Sequence, residues 1–545
     1  MKSFIKELKK LVCDLKFILP LFVVTLFGYG YTLDHFSVGI DDLTRSRYIG
    51  GGENVAQGRF SGTIIDYIFG FTDYTPFWED LTAMIFMFIA GILAALFLKY
   101  VTKNTLHYGV YNFFACFLVT FPLINEIFLY AGTGLNIAIG YCLSFLSLII
   151  FEKFFETKKY ALLIPCLLIW IFNTSLYESF IFVYACAVCG IFFIRHMIAE
   201  GHLPCGDDTV KSEFEERQTP KKIFAEIGWY VSILAVAIVL EFIISNLVIK
   251  LSGLTPSDNA NNLIKEFNFK NTFFNLFTNF FCAGFKYLPI TVFIAAAVIG
   301  LILSIRYTIK EKHGFYLLYL AGMMFSIVIF SFMRSGLTLY RNIQCMVIVC
   351  GMILVIVLQK ALNTKIAWKK ITAVAVATLL ILCQTASLIK WFHVDYLQSE
   401  EEKAVMLAVG EELTENYDIS SKPVLFIEGY TFSDEIMNYK YIQKGTVTYK
   451  ILFEISQIVL NIEEGEEIVF PAGQVQHDSV ISWGVYAFGE VNTELLRYFE
   501  YLGYDFIQGT PEQNEQAIEI AKTMSPEKSW FEILDTEDFI VVKFG

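Results

Sequence analysis

Long apolar runs recur along the first 390 residues, separated by short polar segments. A run of about 20 apolar residues is long enough to cross a bilayer as an α-helix. The pattern predicts eleven spans, at residues 17–33, 81–99, 106–123, 134–151, 160–173, 177–194, 224–249, 287–305, 314–332, 343–359 and 371–389. We therefore predict an α-helical polytopic membrane domain over residues 1–390.

Two of the longer connecting segments are themselves rich in apolar residues. In the segment 34–80, apolar side chains between Phe60 and Phe69 recur at helical spacing. In the segment 251–286, Phe and Leu alternate with Asn and Lys. Mixed patterns of this kind are typical of helices that lie in the membrane interface, so we expect one in each segment.

The pattern changes after residue 390, where shorter apolar runs alternate with charged amphipathic stretches. Residues 399–417, 491–503 and 511–524 read as helices, and 422–429, 466–473 and 531–545 read as strand candidates. Residues 391–545 are thus expected to form a small soluble α/β domain. It is called the tail below.

Composition supports this division and shows that the charge is unevenly distributed. Hydrophobic residues make up 55% of the chain, with 53 Phe, and the mean hydropathy is +0.54. The net charge is −13, but residues 391–545 hold 29 acidic and 9 basic side chains, leaving the first 390 residues at +7. A basic membrane domain and an acidic tail give no reason to expect a nucleic-acid partner.

Lysine and arginine positions predict the orientation of the spans. With a cytoplasmic N-terminus, the segments on the cytoplasmic side hold 22 Lys and Arg, and those on the opposite side hold 8. Eleven spans then place the acidic tail outside the cytoplasm. The prediction is a multi-pass plasma-membrane protein with an extracytoplasmic tail.

On this topology, several polar side chains converge on the extracytoplasmic face. They are Asp41, Asp42, Glu126, Tyr177, Glu178, Arg334 and Arg341. Adjacent carboxylates can remove a proton from an acceptor hydroxyl, and guanidinium groups match the geometry of phosphate. This equipment suits glycosyl transfer from a polyprenyl phosphate sugar at the boundary between water and lipid. The alternative for each of these residues is an ordinary solvated loop charge.

The segments SVGIDDLTR (37–45) and QGRF (57–60), placed between the first two spans, resemble a known family. They are similar to the serotype-converting glucosyltransferase II-like family of bacterial membrane proteins, within the GT-C superfamily. The segment SLYESF (175–180) resembles a family stretch that has Tyr-Gln, with Glu178 in place of Gln. The acidic tail has no counterpart in this resemblance.

The resemblance implies a GT-C fold with catalytic carboxylates at Asp41 and Asp42, and it places Arg59 at the family's Gly-Arg motif. It implies an inverting transferase of the bacterial inner membrane. The donor is expected to be a polyprenyl phosphate sugar, with glucose as the sugar, and the acceptor a cell-surface glycan. No cofactor is expected, although paired aspartates leave a divalent cation possible.

Two other classes of function remain open from the sequence. A transporter or flippase of lipid-linked sugars would favour ionisable groups near the bilayer midplane and inverted repeats. Glu241 is the clearest charge within a span, and no repeat is visible. A non-catalytic partner in surface polysaccharide assembly would use the acidic tail as a binding module.

Overall fold

The computed structural model describes residues 2–39, 42, 52–71, 75–128, 133–205, 208–256, 288–333, 340–428, 445–460, 487–488, 491–525 and 530–545. Most of these residues are helical. The first helices are α1 (Lys2–Val12), α2 (Leu15–Tyr29), α3 (Glu53–Ala56), α4 (Phe60–Phe69), α5 (Pro76–Val101), α6 (Tyr108–Thr120), α7 (Asn125–Phe128), α8 (Thr133–Thr157), α9 (Leu163–Leu176) and α10 (Phe180–Ala199). They are followed by α11 (Asp208–Arg217), α12 (Pro220–Leu251), α13 (Leu288–Glu311), α14 (Phe315–Met333), α15 (Met346–Leu362) and α16 (Ala367–Asn416). The tail adds β1 (Val424–Ile427), α17 (Val447–Leu460), α18 (Thr493–Tyr501), α19 (Pro511–Ala521), β2 (Phe531–Asp535) and β3 (Ile540–Phe544).

Each of the eleven predicted spans coincides with a helix. In the part of the chain that the structure describes, seven helices are long and apolar enough to cross a membrane. The other four predicted spans correspond to the shorter apolar helices α6, α9, α14 and α15. The predicted class, a polytopic helical membrane protein with a small sheet near its C-terminus, is confirmed.

Successive membrane helices alternate in direction, which defines two sides of the bundle. The N-terminal side carries α1 and the turns at 102–107, 200–219 and 312–314. The tail side carries the turns at 177–179 and 340–345, and α16 continues from this side into the tail. The lysine and arginine distribution predicts that the tail side is extracytoplasmic.

A helix at residues 60–69 is expected from its apolar spacing, and the structure has α4 there. It ends at Gly70, whose φ of 76° lies in the left-handed region that glycine adopts without strain. The counterpart expected within 251–286 falls largely on residues 257–287, outside the described residues.

The segment 198–222 is rich in charge and contains Pro204 and Pro220, a composition that favours a loop, but the structure has a helix within it. This helix is α11, whose Arg217 donates to both carboxylate oxygens of Glu226 at 2.9 Å. Arg217 also reaches Glu152 at 3.3 Å, and the buried Arg195 pairs with the same carboxylate. These ion pairs join α8, α10, α11 and α12 because charges buried among apolar helices need partners.

The predicted separation between the last span and the first tail helix is also absent. Residues 367–416 form one helix, α16, which passes through the expected boundary at 390 without a break. The connecting stretch KWFHVDYLQ, residues 390–398, has no proline or glycine to interrupt it. A single continuous helix therefore links the membrane domain to the tail.

The tail contains a three-stranded sheet in the order β1-β3-β2, with β1 parallel and β2 antiparallel to β3. Val424 and Phe426 face a core that includes residues of α16 and α18, and Leu425 faces a second core with Ala517 of α19. The Asn492 side chain accepts from the Phe426 amide at 2.9 Å and donates to its carbonyl at 2.8 Å. The strand candidate at 466–473 lies outside the described residues.

Candidate functional site

Arg59 is placed on the tail side by the turn that joins α3 to α4. Its Nη2 donates to Glu178 Oε2 at 3.4 Å, and its Nη1 donates to Gln57 Oε1 at 3.3 Å. The guanidinium carbon lies 5.0 Å from the ring centroid of Tyr177, in the geometry of a cation–π contact. Two segments that the sequence separates by more than 100 residues therefore meet at this arginine.

Arg341 and Glu126 form a second pair on the same side. Glu126 lies in α7 and is only 1% exposed. Its carboxylate accepts from the Arg341 backbone amide at 2.7 Å and from the Arg341 Nη1 at 3.2 Å. The carboxylate thus fixes both the backbone and the side chain of Arg341.

Tyr177 connects the two arginines. Its hydroxyl donates to Asn342 Oδ1 at 3.1 Å, next to Arg341, while its ring lies against Arg59. Burial raises the pKa of the Tyr177 hydroxyl, and the two neighbouring guanidinium groups oppose that shift. The hydroxyl therefore stays protonated and acts here as a hydrogen-bond donor.

The two guanidinium groups lie close enough to influence each other. Burial lowers the pKa of Arg59 and the Arg341 charge does the same, but Glu178 and Tyr177 outweigh them, so the pKa is raised and the positive charge is kept. The Nε of Arg59 is buried and has no hydrogen-bond partner among the described residues. An unpaired buried donor beside a second arginine is suited to an anionic oxygen.

The structure brings together five of the predicted site residues, which are Arg59, Glu126, Tyr177, Glu178 and Arg341. Asp42 is 2% exposed, and its Oδ2 accepts from the Gly39 amide at 2.7 Å. Asp41 and Arg334 lie outside the described residues. The catalytic and phosphate-binding roles assigned to these side chains remain predictions.

The tail side holds further carboxylates that the sequence pattern does not single out. Glu79 lies in the first turn of α5, is 1% exposed and accepts from Thr75. Asp80 follows it and hydrogen-bonds Thr32. Two adjacent acidic residues shortly after Pro76 could have indicated a site, but they directly precede the predicted span 81–99 and so resemble ordinary flanking charges. Glu241 of α12, which the sequence does single out, accepts from Ser245 at 2.6 Å, and the Ser245 Oγ lies 3.1 Å from the Gly58 carbonyl beside Arg59.

Close helix packing holds the turn that carries Tyr177 and Glu178. A Cβ on Gly140 of α8 would overlap the ring of Phe180, the first residue of α10. Asn173, buried in α9, donates to the Gly140 carbonyl at 3.3 Å and to Ser144 Oγ at 2.9 Å. Small residues and interhelical amide bonds of this kind position membrane helices firmly.

The fold is that of a polytopic helical membrane protein with an arginine-rich site on its tail side, and the family match places it in the glycosyltransferase class. The profile of the family described as Glucosyl transferase GtrII matches residues 30–359, which is more than half of the chain. The chain therefore belongs to the GtrII glucosyltransferase family. The match confirms the family that the segments 37–45 and 57–60 indicate.

The other comparisons are more distant. No curated protein matches the chain. Among solved structures, the archaeal oligosaccharyltransferase AglB from Archaeoglobus fulgidus, in complex with an inhibitory peptide and a dolichol-phosphate, aligns with a TM-score of 0.38 and 12% identity. The alignment covers 73% of this chain, and the chain spans 58% of the length of that protein.

Proposed function

We propose that this protein transfers a sugar, glucose by family analogy, from a polyprenyl phosphate donor to a cell-surface glycan. The transfer takes place on the tail side, which faces away from the cytoplasm of a bacterial plasma membrane. The observation that carries the proposal is the Arg59 guanidinium, which has a buried unpaired Nε and a second arginine nearby. A lipid phosphate supplies the anionic oxygens that such a pair binds.

In the proposed step, the acceptor hydroxyl oxygen attacks the anomeric carbon of the donor. Asp41 or Asp42 takes the hydroxyl proton as the new carbon–oxygen bond forms. The bond between the anomeric carbon and the phosphate oxygen breaks, and its electron pair leaves with the polyprenyl phosphate. Attack opposite the departing phosphate inverts the anomeric centre, and the step uses no cofactor or metal.

The arginines act on the departing group in this scheme. Negative charge accumulates on the phosphate oxygens as the glycosidic bond breaks, and Arg59 and Arg341 neutralise it. Glu126 positions Arg341 through its backbone and its guanidinium. Tyr177 and Glu178 hold Arg59 from its other side. The donor is proposed to enter laterally from the lipid, past the surface-lying α4.

The test compares surface glycans from cells that carry the gene with those from cells that lack it. Loss of a side-chain hexose in the deletion strain identifies the acceptor and the transferred sugar together. Complementation with the double variant Asp41→Asn, Asp42→Asn should fail to restore the hexose while the protein reaches normal levels in the membrane. Full restoration by this variant would exclude the proposed base.

A matched control uses another adjacent acidic pair. Glu537 and Asp538 lie in the exposed turn between β2 and β3, far along the chain from the proposed base. The double variant Glu537→Gln, Asp538→Asn removes the same two charges and should restore the hexose fully. If both double variants fail alike, the loss reflects general charge removal, and the proposal for Asp41 and Asp42 is wrong.

A further inference from the structure

Histidine is rare in this chain, yet three of its 7 histidines meet on the N-terminal side. His196 lies in the last turn of α10, His202 follows two residues after its C-cap Glu200, and His313 lies in the turn between α13 and α14. The end of α10 and the turn that carries His313 are more than 100 residues apart in the sequence. This cluster is on the side of the bundle opposite to the proposed transfer site, because α10 separates them by its 20 residues, about 30 Å.

Glu200 is the centre of the cluster. Its Oε1 lies 3.2 Å from His196 Nε2 and 2.5 Å from His313 Nε2. The potential ligand atoms of these three residues all lie within 4.8 Å of one another. Four ligands around a tetrahedral zinc ion, at bonds of about 2.0 Å, stand roughly 3.3 Å apart, so a small opening of the His313–Glu200 contact admits the ion.

The surroundings match those of a metal site. The Tyr319 hydroxyl lies 3.2 Å from His196 Nδ1, and in the tautomer in which Nδ1 donates to it the Nε2 lone pair points towards Glu200. The Tyr316 hydroxyl donates to the second oxygen of Glu200 at 2.5 Å. Hydrogen bonds that orient the far side of each ligand are the usual support of metal-binding histidines and carboxylates.

His202 lies on the other side of Glu200, in a second group with Glu200 and Glu311. The side chain of His202 is only 4% exposed. Its Nε2 lies 3.6 Å from Glu200 Oε2 and 2.7 Å from Glu311 Oε1. These contacts join His202 and Glu311 to Glu200, so the carboxylate of Glu200 is held from both sides.

We propose that His196, Glu200 and His313 bind a divalent transition-metal ion, with zinc the best fit. Imidazole donors favour zinc over magnesium or calcium, which prefer oxygen ligands. The ion joins the end of α10 to the turn between α13 and α14. It therefore stabilises the packing of the helices on the N-terminal side of the bundle. This role is independent of the proposed transferase activity.

The experiment uses the full-length protein in detergent, stripped with a chelator and then equilibrated with zinc chloride. The wild-type protein should retain about one zinc per chain by elemental analysis. X-ray absorption should show Zn–N/O distances of about 2.0–2.1 Å. Zinc should also raise its thermal unfolding temperature.

Two ligand variants test the assignment. The His313→Asn variant changes a side chain that is 27% exposed, so it should fold, and Glu200→Gln removes the central charge. Both should lose the bound zinc and its effect on the unfolding temperature. Tyr319→Phe keeps the ligands but removes the hydroxyl that orients His196, and it should weaken zinc binding about 10- to 100-fold.

The matched control is His107→Asn, which changes another histidine on the N-terminal side. His107 caps the start of α6 by accepting from the Gly109 amide, and asparagine can replace it in that role. This variant should bind zinc as the wild type does. Wild-type protein that retains no more zinc than His313→Asn, or full zinc retention by both ligand variants, would overturn the proposal.

Discussion

Replacing Arg59 with lysine separates the proposed phosphate contact from the stability of the fold. Lysine keeps the positive charge but does not have the planar fork that donates through three nitrogens. The interactions within the protein that depend on this fork are weak. The pair with Glu178 spans 3.4 Å between side chains that are 32% and 53% exposed, and such a pair is worth about 0–1 kcal/mol. The contact with the Tyr177 ring adds about 0.5–1 kcal/mol.

The free energy of unfolding should therefore fall by no more than about 1–2 kcal/mol. The effect on transfer should be larger, because hydrogen bonds to a charged group contribute about 1.5–3 kcal/mol. If Arg59 grips the departing phosphate, kcat/KM should drop roughly 10- to 100-fold, since each 1.4 kcal/mol corresponds to a factor of about ten. A large loss of activity with a small loss of stability is the expected signature.

The assay follows radiolabelled sugar from a synthetic polyprenyl phosphate donor into isolated surface glycan, with the full-length protein in lipid nanodiscs. Unfolding of the same preparations gives the stability. Arg306→Lys is the control, because Arg306 lies on the exposed face of α13 near the N-terminal side and should transfer at the wild-type rate. Activity of Arg59→Lys within twofold of this control would refute the reasoning.

Three further changes test individual interactions. Replacing the buried Glu126 with glutamine should lower the free energy of unfolding by about 1–3 kcal/mol and reduce kcat/KM, as measured by thermal unfolding and the same transfer assay. Asn492→Ala should cost about 2–4 kcal/mol, because it strips both hydrogen bonds from the Phe426 backbone, and limited proteolysis should then cleave the tail faster. In zinc-stripped protein, burial lowers the pKa of His202. The hydrogen bonds from Tyr316 and His313 lower the pKa of Glu200, although its burial opposes them. The unfolded state therefore binds more protons than the folded state at both groups. The unfolding temperature should therefore fall as pH drops below about 6.5, and His202→Asn should flatten this dependence between about pH 7 and 5.5.

The helices of the membrane domain are predictable because a bilayer imposes a length on apolar segments. Each span can be located within a few residues, since a run of apolar side chains can be counted without knowledge of its neighbours. The tail strands at 424–427 and 531–544 are also predictable, because short apolar runs bounded by polar residues and glycine are typical of buried strands.

Contacts between distant segments are not predictable in the same way. Glu126 and Arg341 are 215 residues apart, and only the packing of α7 against the turn before α15 brings them together. The continuity of α16 is hidden in the sequence because polar residues after position 390 resemble the end of a membrane helix. A change of environment from lipid to water alters the side chains that a helix carries without ending the helix.

The helix α16 also gives the tail a mechanical connection to the proposed catalytic segment. Its residues 391–416 project about 40 Å beyond the expected membrane boundary, at about 1.5 Å per residue. Within this projecting segment, Ser399 accepts a hydrogen bond from the Val38 amide at 3.2 Å. Val38 also packs against the tail core. Val38 precedes Asp41 by only three positions. Because Val38 is hydrogen-bonded to α16 and packed against the tail core, a change in the position of the tail would be transmitted to the segment that leads into the aspartate pair.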